Sequence, residues 1–442
     1  MSINVTQVYP MLTRTASKTL RQCCLTLMLP LAMLALLPGC ATNPVTGGSS
    51  LNFMPESWDR QVGAQQYAPS VQSQGGEYNV DAGLTRYVSG VGQRLAQHAD
   101  LQLDYEFTVL NSDVPNAWAL PGGKIAINRG LLTELNSEAE LAAVLGHEIV
   151  HAAARHGAQA QSRGTLLSGA VLAAGIASRN SEYTQLAGLG ASMGAQLINT
   201  RYGREAELES DEYGIRYMVA AGYDPQGAVD LQETFVRLSE GRNQDWLSGL
   251  FASHPPSRER LQKNRELAAS LPAGGELGVQ RYQQQIAGLK KSEKAYEYAA
   301  LGREALQAGR LQEAERWGKH AVMIEPRESR FHGLMGDISL AQERESLAER
   351  YYDQAIARDP NWFYFPLARG MLRQRMNKLS AAREDLQRSL QLLPTGIGYF
   401  QLGILEKRGG NRDLAVRYLQ TAQQAGGEVA QRAAAELQTM QR

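Results

Sequence analysis

The feature of this sequence that most constrains its fold is a spacing of 34 residues that recurs in the last third of the chain. Small residues and prolines each repeat three times at this spacing. The positions are Gly302, Gly336 and Gly370; Ala314, Ala348 and Ala382; and Pro326, Pro360 and Pro394. Two helices cross closely only where side chains are small, and proline ends a helix because it has no amide N–H. The spacing therefore predicts an α-solenoid of stacked helix pairs over residues 293–442.

A fourth unit follows one residue short of this spacing, with Gly403, Ala415 and Ala422. The period and its small residues resemble the tetratricopeptide repeat. That resemblance implies a concave surface that binds other proteins. An unrelated helical bundle is the alternative, and three sets of positions in register argue against it.

The first 40 residues have the pattern of a bacterial export signal. Its basic part contains Arg14, Lys18 and Arg21. An apolar stretch follows over residues 23–37 and is too short for a membrane-spanning helix, which needs roughly 20 residues. The stretch ends in Leu-Pro-Gly-Cys at residues 37–40, which resembles a lipobox. We therefore expect a lipoprotein signal peptide over residues 1–39 and a lipid anchor on Cys40. A plain signal peptide cut nearby is the alternative.

Cysteine content and charge limit the remaining possibilities. All three cysteines lie within the first 40 residues, so no later residue can form a disulfide or a zinc–thiolate site. Lys+Arg and Asp+Glu both number 45, so charge gives no reason to expect nucleic acid as a partner. Ala41 after the lipobox cysteine resembles the sorting signal for the outer membrane. We expect a periplasmic protein that is anchored by lipid to that membrane.

Composition divides the rest of the chain. Residues 40–53 are rich in Asn, Pro, Gly and Ser, which is typical of a flexible tether. A first folded domain is expected over residues 54–272 and a linker over residues 273–292. Within that domain, Pro121-Gly122-Gly123 predicts a turn between two extended segments. Ser137 with Glu140 three residues later is a capping box, which predicts that a helix starts there.

This predicted helix contains the strongest chemical signal, His147-Glu148-Ile-Val-His151. At 100° per residue the two histidines lie about 40° apart on one helix face, so both imidazoles can reach one metal ion. Glu148 lies beside them and is not itself a ligand. His156 lies about 180° round a continuous helix from His147. We therefore expect it to face away, as a solvated or hydrogen-bonded structural residue.

A metal site of this kind needs a third protein ligand. The acidic segment 205–211 offers two carboxylate pairs at a spacing of four residues. These are Glu207 with Asp211 and Glu205 with Glu209. One carboxylate of a pair could bind the metal while the other holds a ligand histidine by its second ring nitrogen. Spacing alone does not choose between the pairs, and a solvated acidic face is the alternative.

The two motifs taken together, His147-Glu148-x-x-His151 and Arg204-x-x-Glu207-x-x-x-Asp211, resemble the HtpX and CaaX-prenyl-protease type of zinc metallopeptidase, family M48. Residues 116–123, 130–132 and 253–260 also match that family's pattern. The resemblance implies a mainly α, gluzincin-type metalloprotease domain with a small β-sheet over residues 54–272, followed by the tetratricopeptide solenoid.

The same resemblance implies roles for individual residues. His147, His151 and Glu207 would hold one Zn²⁺ per chain, and Glu148 and Asp211 would be the catalytic residues. His254, which precedes Pro255 in a loop, would be a possible fourth, regulatory ligand that keeps the enzyme latent. Arg260 could steady this loop or cap a helix. An extended substrate would pair with the segment formed by Asn116, Ala117, Trp118, Ala119, Leu120, Pro121, Gly122 and Gly123.

These features together predict an exported zinc endopeptidase that degrades unfolded or misassembled envelope proteins. Its expected substrates are stalled outer-membrane proteins, and its repeats would contact the outer-membrane assembly machinery. One alternative is a tetratricopeptide chaperone or scaffold lipoprotein with a vestigial metal site. Another is a membrane-embedded protease, in which the apolar run at residues 164–178 would insert into the bilayer rather than pack on the core.

Overall fold

The computed structural model describes residues 40–177, 202–241, 253–272 and 274–441. The predicted signal peptide over residues 1–39 lies outside the described residues. The described residues are mainly helical with two small sheets, which confirms the predicted fold class. The strands are β1 (Cys40–Thr42), β2 (Ser49–Leu51), β3 (Glu106–Leu110), β4 (Ala117–Leu120) and β5 (Lys124–Asn128).

A group of helices precedes the repeats, and the first four of them contact the larger sheet. They are α1 (Glu56–Ser73), α2 (Ala82–Ala96), α3 (Arg129–Glu134), α4 (Glu138–Ala153), α5 (His156–Ala177), α6 (Arg204–Ala220), α7 (Gln226–Gly241), α8 (Arg258–Ser270) and α9 (Val279–Gln285). The sheet has the order β3-β5-β4, with β5 parallel to β3 and antiparallel to β4. The predicted turn joins β4 to β5, and Gly122 and Gly123 adopt φ angles of 82° and 86°. Glycine is the residue that adopts such angles without strain.

Helix α4 lies at the centre of this domain, and every one of its residues is buried. The predicted capping box is present, because the Ser137 hydroxyl accepts from the Glu140 amide at 3.1 Å and the Glu140 carboxylate accepts from the Asn136 amide at 3.2 Å. Helix α6 crosses α4 where two glycines meet. A Cβ on Gly214 would lie 2.9 Å from the His147 amide nitrogen. This close approach brings the acidic side chains of α6 against the histidines of α4.

The segment predicted as a flexible tether, residues 40–53, is folded in the structure. Strands β1 and β2 form an antiparallel hairpin in which Cys40 pairs with Leu51. Asn43 organises the turn, because its side-chain oxygen accepts from the Val45 amide at 2.9 Å. The Phe53 amide then donates to the Ser162 hydroxyl of α5 at 3.2 Å. Asn, Pro, Gly and Ser here build a tight turn and not a flexible chain.

Residues 273–292, predicted as a linker, instead contain helix α9 and the start of the next helix. Tyr282 of α9 is fully buried, and its hydroxyl donates to the Leu132 carbonyl at 2.6 Å. Arg281 of the same helix pairs with the buried carboxylate of Glu138 at the start of α4. The peptide between the two predicted domains is therefore part of the packed structure.

Paired helices form the rest of the chain. They are α10 (Ala287–Gln307), α11 (Leu311–Ile324), α12 (Ser329–Ala341), α13 (Glu345–Arg358), α14 (Tyr364–Arg375), α15 (Leu379–Leu392), α16 (Gly396–Arg408), α17 (Arg412–Gln423) and α18 (Gly427–Gln441). The repeated small residues lie where the helices of a pair cross. A Cβ on Gly336 would lie 2.6 Å from the Tyr352 ring, and one on Gly403 would lie 2.7 Å from Leu419. The predicted solenoid is therefore confirmed in its helix pairs and in the role of its glycines.

The start of the solenoid packs on the preceding domain through its first helix and through the N-cap of its third helix. Asn111, which follows β3, donates to both carboxylate oxygens of Glu328 at 3.0 Å. The Arg129 guanidinium lies 3.4 Å from the centre of the Tyr296 ring. These contacts hold the two domains together with directional bonds as well as apolar packing.

The apolar run at residues 164–178 belongs to helix α5 as far as Ala177, and Ser178 lies outside the described residues. Within the described ranges, none of the helices combines the length and the apolarity that a crossing of the lipid bilayer requires.

Candidate metal centre

Four side chains from three parts of the fold meet beside α4. His147 and His151 come from α4, Glu207 comes from the first turn of α6, and His254 comes from the loop before α8. Their ligand atoms all lie within 4.8 Å of one another, and all four side chains are buried. The spacing of four residues on α4 thus places both imidazoles on one side of the helix, as predicted.

The distances between these atoms are those of neighbouring ligands. His151 Nε2 lies 3.0 Å from His147 Nε2, and His254 Nδ1 lies 3.3 Å from the same atom. The Glu207 carboxylate lies 3.0 Å from His254 Nδ1 and 3.4 Å from His151 Nε2.

This set of donor atoms fits a divalent cation. His147 turns its Nδ1 to Asp211, so its Nε2 is the nitrogen that would present a lone pair to a metal ion, which would take the place of any proton there. Imidazole nitrogens and carboxylate oxygens that face one another at about 3 Å must share either protons or a metal cation, because their lone pairs otherwise repel. Nearby, Glu148 Oε2 is buried without a hydrogen-bond partner among the described residues. Two or three histidines with one carboxylate are ligands typical of zinc.

Asp211 orients His147 through Nδ1, the ring nitrogen that faces away from the other ligands. Its Oδ1 accepts from His147 Nδ1 at 2.9 Å, and Arg260 donates to both of its oxygens at 2.7 Å. Burial lowers the pKa of His147, but the carboxylates of Asp211 and Glu207 outweigh it and raise this pKa to about 9. Burial raises the pKa of Asp211, and the Arg260 guanidinium outweighs it and holds that pKa below its usual range.

Arg260, whose role the sequence left open, also reaches the ligand carboxylate. Its Nη1 lies 2.9 Å from Glu207 Oε2, and the same group donates to the Pro255 carbonyl at 3.3 Å. One guanidinium therefore links Glu207, Asp211 and the loop that presents His254. Burial raises the pKa of Glu207, but the neighbouring histidines, His254 foremost, hold it well below the usual range.

The structure separates the two carboxylate pairs that spacing could not distinguish. Glu207 and Asp211 are buried at 2% and 7% exposure and face α4. Glu205 is exposed, and Glu209 lies beside His156, with a distance of 3.4 Å from Oε1 to Nε2. The first pair therefore meets the histidines of α4, as the family resemblance implied.

The prediction that His156 faces away from the site is wrong. Helix α4 ends at Ala153, and Arg155 adopts a left-handed conformation with a φ of 59°. The chain therefore turns back, and His156 starts the next helix with its Nδ1 2.9 Å from His151 Nδ1. An angle counted along a continuous helix does not apply across this break.

The predicted substrate segment lies beside the metal helix, in and around β4. Strand β4 is an edge of the sheet, and its alternating pairing with β5 leaves the amides and carbonyls of Ala117 and Ala119 on the free side. Asn116, Trp118 and Leu120 are buried, as are the turn residues 121–123. The edge is therefore covered, since Ala117 is 0% and Ala119 7% exposed.

Sequence reasoning missed several residues around the ligands. Tyr202 stacks on His151 with ring centroids 4.1 Å apart, and Asn43 of the hairpin donates to Glu209 Oε1 at 2.7 Å. Neither residue belongs to a motif, and each comes near the site only through the fold. For His156, the signal that the sequence offered was its own position, as a further histidine shortly after the motif.

Comparison with known proteins agrees with this geometry. Residues 83–268 match the model described as Peptidase family M48, a range that contains all four candidate ligands. The chain therefore contains a metallopeptidase domain of family M48, and the predicted resemblance is confirmed.

Several curated proteins are similar to this domain. The mitochondrial metalloendopeptidase OMA1 of Arabidopsis thaliana is 33% identical over 158 residues, which are 36% of this chain and 30% of that protein. The beta-barrel assembly-enhancing protease of Escherichia coli K12 is 30% identical over 194 residues, 42% of this chain and 39% of that protein. The metalloprotease YcaL of the same strain is 36% identical over 169 residues, 36% of this chain and 61% of that protein. This chain spans less than two thirds of the length of each of them.

Proposed function

We propose that this chain is an exported zinc metalloendopeptidase that hydrolyses unfolded or misassembled proteins of the bacterial envelope. The observation that carries the proposal is the buried convergence of His147, His151, Glu207 and His254 beside the unpartnered carboxylate oxygen of Glu148. Three imidazoles and a carboxylate whose ligand atoms lie within 4.8 Å of one another are a donor set typical of zinc, and the unpartnered oxygen of Glu148 beside them is placed to accept a proton.

His147, His151 and Glu207 would hold the zinc ion. When bound, zinc supplies a Lewis acid that polarises a peptide carbonyl and lowers the pKa of water towards about 7. Glu148 accepts the proton of the attacking water on its free oxygen and later donates it to the leaving amine. Burial at 2% exposure excludes bulk water from this carboxylate. Asp211 keeps His147 in the tautomer that presents Nε2 to the metal.

The resting form would be latent. His254 Nδ1 lies 3.0 Å from Glu207 and 3.3 Å from His147 Nε2, a position from which it completes the ligand set. Its other nitrogen lies 3.7 Å from Glu148 Oε1. A histidine in this position competes with water for the metal, so the loop that carries it must move before hydrolysis. The covered edge of β4 agrees with this state, because an extended substrate could pair there only after opening.

Other parts of the chain support the proposed location and partners. The lipobox at residues 37–40 supports export and a lipid anchor on Cys40, with Ala41 favouring the outer membrane. The helical repeats support binding of a second protein. Among the similar proteins, one is named for the assembly of beta-barrels. We infer that the substrates are unfolded or stalled outer-membrane proteins, and that the repeats contact the machinery that assembles them.

Proteolysis of an unfolded barrel protein by the zinc-loaded full chain, purified in detergent, tests the proposed function. We expect cleavage of an unfolded outer-membrane protein and little cleavage of the same protein folded in micelles. Glu148→Gln should lower the rate by about 10²–10⁴-fold without changing the zinc content. If neither the wild-type chain nor a His254→Ala variant cleaves the substrate, the proposed proteolytic activity is refuted. Suppression of the substrate's aggregation by both would then support a chaperone or scaffold.

A further inference from the structure

We propose that His156 is a positioning residue for the metal ligand His151, and that Glu209 and Asn43 hold His156 in the required orientation. The inference deepens the proposed function, since it rests on His151 as a metal ligand. It assigns a role to three residues that the metallopeptidase motifs do not specify. One of them lies in the N-terminal hairpin, before the matched family domain.

The first contact is between the two imidazoles. His151 turns Nε2 toward the other ligands, 3.0 Å from His147 Nε2, which leaves its Nδ1 on the far side of the ring. That Nδ1 lies 2.9 Å from His156 Nδ1. A ligand histidine that binds metal through Nε2 carries its proton on Nδ1, so His151 donates and His156 accepts.

The second contact concerns which ring nitrogen of His156 carries a proton. Because its Nδ1 accepts from His151, its remaining proton lies on Nε2. This nitrogen lies 3.4 Å from Glu209 Oε1, which is placed to accept it. Asn43 Nδ2 donates to the same oxygen at 2.7 Å. The contacts therefore form one continuous series, from Asn43 to Glu209, from Glu209 to His156 and from His156 to His151.

The backbone between the two histidines supports a positioning role. Arg155 adopts a φ of 59°, a left-handed conformation that is strained for a residue with a side chain. Two side-chain contacts hold it there. Its Nε pairs with Asp59 at 2.5 Å and its guanidinium donates to the Met54 carbonyl at 2.7 Å. This strained turn brings His156, which is only 2% exposed, back against His151.

The hairpin end of the chain of contacts is equally fixed. Asn43 is 5% exposed, and its side-chain oxygen accepts from the Val45 amide while its amide group holds Glu209. Asn43 therefore stabilises the turn and also orients Glu209, the carboxylate that contacts His156. The folding of the hairpin that starts at Cys40 is thus coupled to the orientation of His151.

Zinc affinity of the full-length chain tests this role. We expect His156→Leu, which keeps bulk but accepts no proton, to weaken zinc binding by about 10–100-fold in competition with a chromophoric chelator. His156→Asn should bind within about threefold of the wild type, because an amide oxygen can accept from His151 where Nδ1 did. The absorption bands of bound Co²⁺ should change in the leucine variant and be restored by asparagine.

A buried histidine of the repeats gives the matched control. His332 is 3% exposed and bonds the Pro326 carbonyl through Nε2 at 2.9 Å, so His332→Leu should leave zinc affinity and the Co²⁺ spectrum unchanged. Circular dichroism reports whether each variant folds. Glu209→Ala, which removes the acceptor of His156, provides a second variant and should also weaken zinc binding.

The outcomes separate the two proposals. A folded His156→Leu or Glu209→Ala variant with wild-type zinc affinity and an unchanged Co²⁺ spectrum overturns the positioning role. If His156→Leu does not fold, the result for Glu209→Ala decides. A wild-type chain that binds no zinc refutes the proposed function itself, and with it the inference.

Discussion

The two ligand histidines of α4, His147 and His151, differ in the group that contacts Nδ1, the ring nitrogen that faces away from the other ligands. His147 is held by one carboxylate, Asp211, at 2.9 Å, and Arg260 clamps that carboxylate through both oxygens. His151 is held through a second imidazole, His156, which reaches its own carboxylate only at 3.4 Å. The Asp211 side chain is 6% exposed and the Glu209 side chain 20%. We call Asp211 with Arg260 the short support of His147. We call His156 with Glu209 and Asn43 the long support of His151.

The difference suggests a division of labour. The short support is made of full charges in the interior, where an unpaired charge is costly, so it contributes to both folding and metal affinity. The long support passes through the His156 ring to the partly exposed carboxylate of Glu209 and ends at the hairpin. We expect it to tune the metal site without deciding whether the domain folds.

Removing the guanidinium of the short support should have the largest effect. Arg260→Met leaves Asp211 and Glu207 without their buried partner, so we expect the free energy of unfolding of the metal-free chain to fall by about 3–5 kcal/mol. Denaturant titration measures this change. Arg204→Met is the control, because Arg204 pairs with Glu259 at the surface and its loss should not measurably change stability. Equal stability of the two variants would refute the short support.

Weakening each carboxylate in turn compares the two supports directly. Asp211→Asn keeps an acceptor for His147 but removes the negative charge, and we expect zinc affinity to fall by about 10–100-fold. Glu209→Gln makes the same change one ring further from the metal and should cost less than about tenfold. Chelator competition gives both values. A larger loss for Glu209→Gln would reverse the proposed ranking.

The third ligand histidine, His254, differs from both because it lies on a loop. Its ring nitrogens contact Glu207 and Glu148, and among the described residues no carboxylate supports it in the way that Asp211 supports His147. Removing it should open the site: we expect His254→Ala to raise hydrolysis of an unfolded substrate several-fold with zinc still bound. Peptide release over time measures the rate. His98→Ala, an exposed histidine, serves as the control. Unchanged or lower activity with intact zinc would contradict latency.

The smallest effect is expected at the far end of the long support. Asn43→Ala removes one of the donors to Glu209 and should weaken zinc binding by about two- to threefold, since His156 still contacts that carboxylate. The same chelator competition detects it. A loss as large as that of Asp211→Asn would mean that the hairpin controls the site far more strongly than the contacts indicate.

Much of the short support could be predicted from the sequence, because it depends on regular helices. His147 and His151 are one turn apart on α4, and the spacing of Glu207 and Asp211 made them one of two candidate pairs on α6. The capping box at Ser137 located the start of α4. The family resemblance then chose the pair that the structure brings to the histidines.

The long support could not be predicted, because each of its steps depends on irregular backbone. Arg155 occupies a left-handed position where glycine or asparagine is the usual marker, so nothing in the sequence shows that α4 ends before His156. Asn43 lies in a segment with the composition of a flexible tether. Its contact with Glu209 spans 166 residues of sequence, and no local pattern reports such a pairing.

The most direct test of the central claim is the zinc content of the folded full-length chain beside a Glu207→Ala variant. The proposed site predicts about one zinc per wild-type chain and a lost or greatly weakened zinc in the variant. A folded wild-type chain that takes up no zinc, or a variant that retains it fully, would contradict the assignment of His147, His151 and Glu207 as the metal ligands.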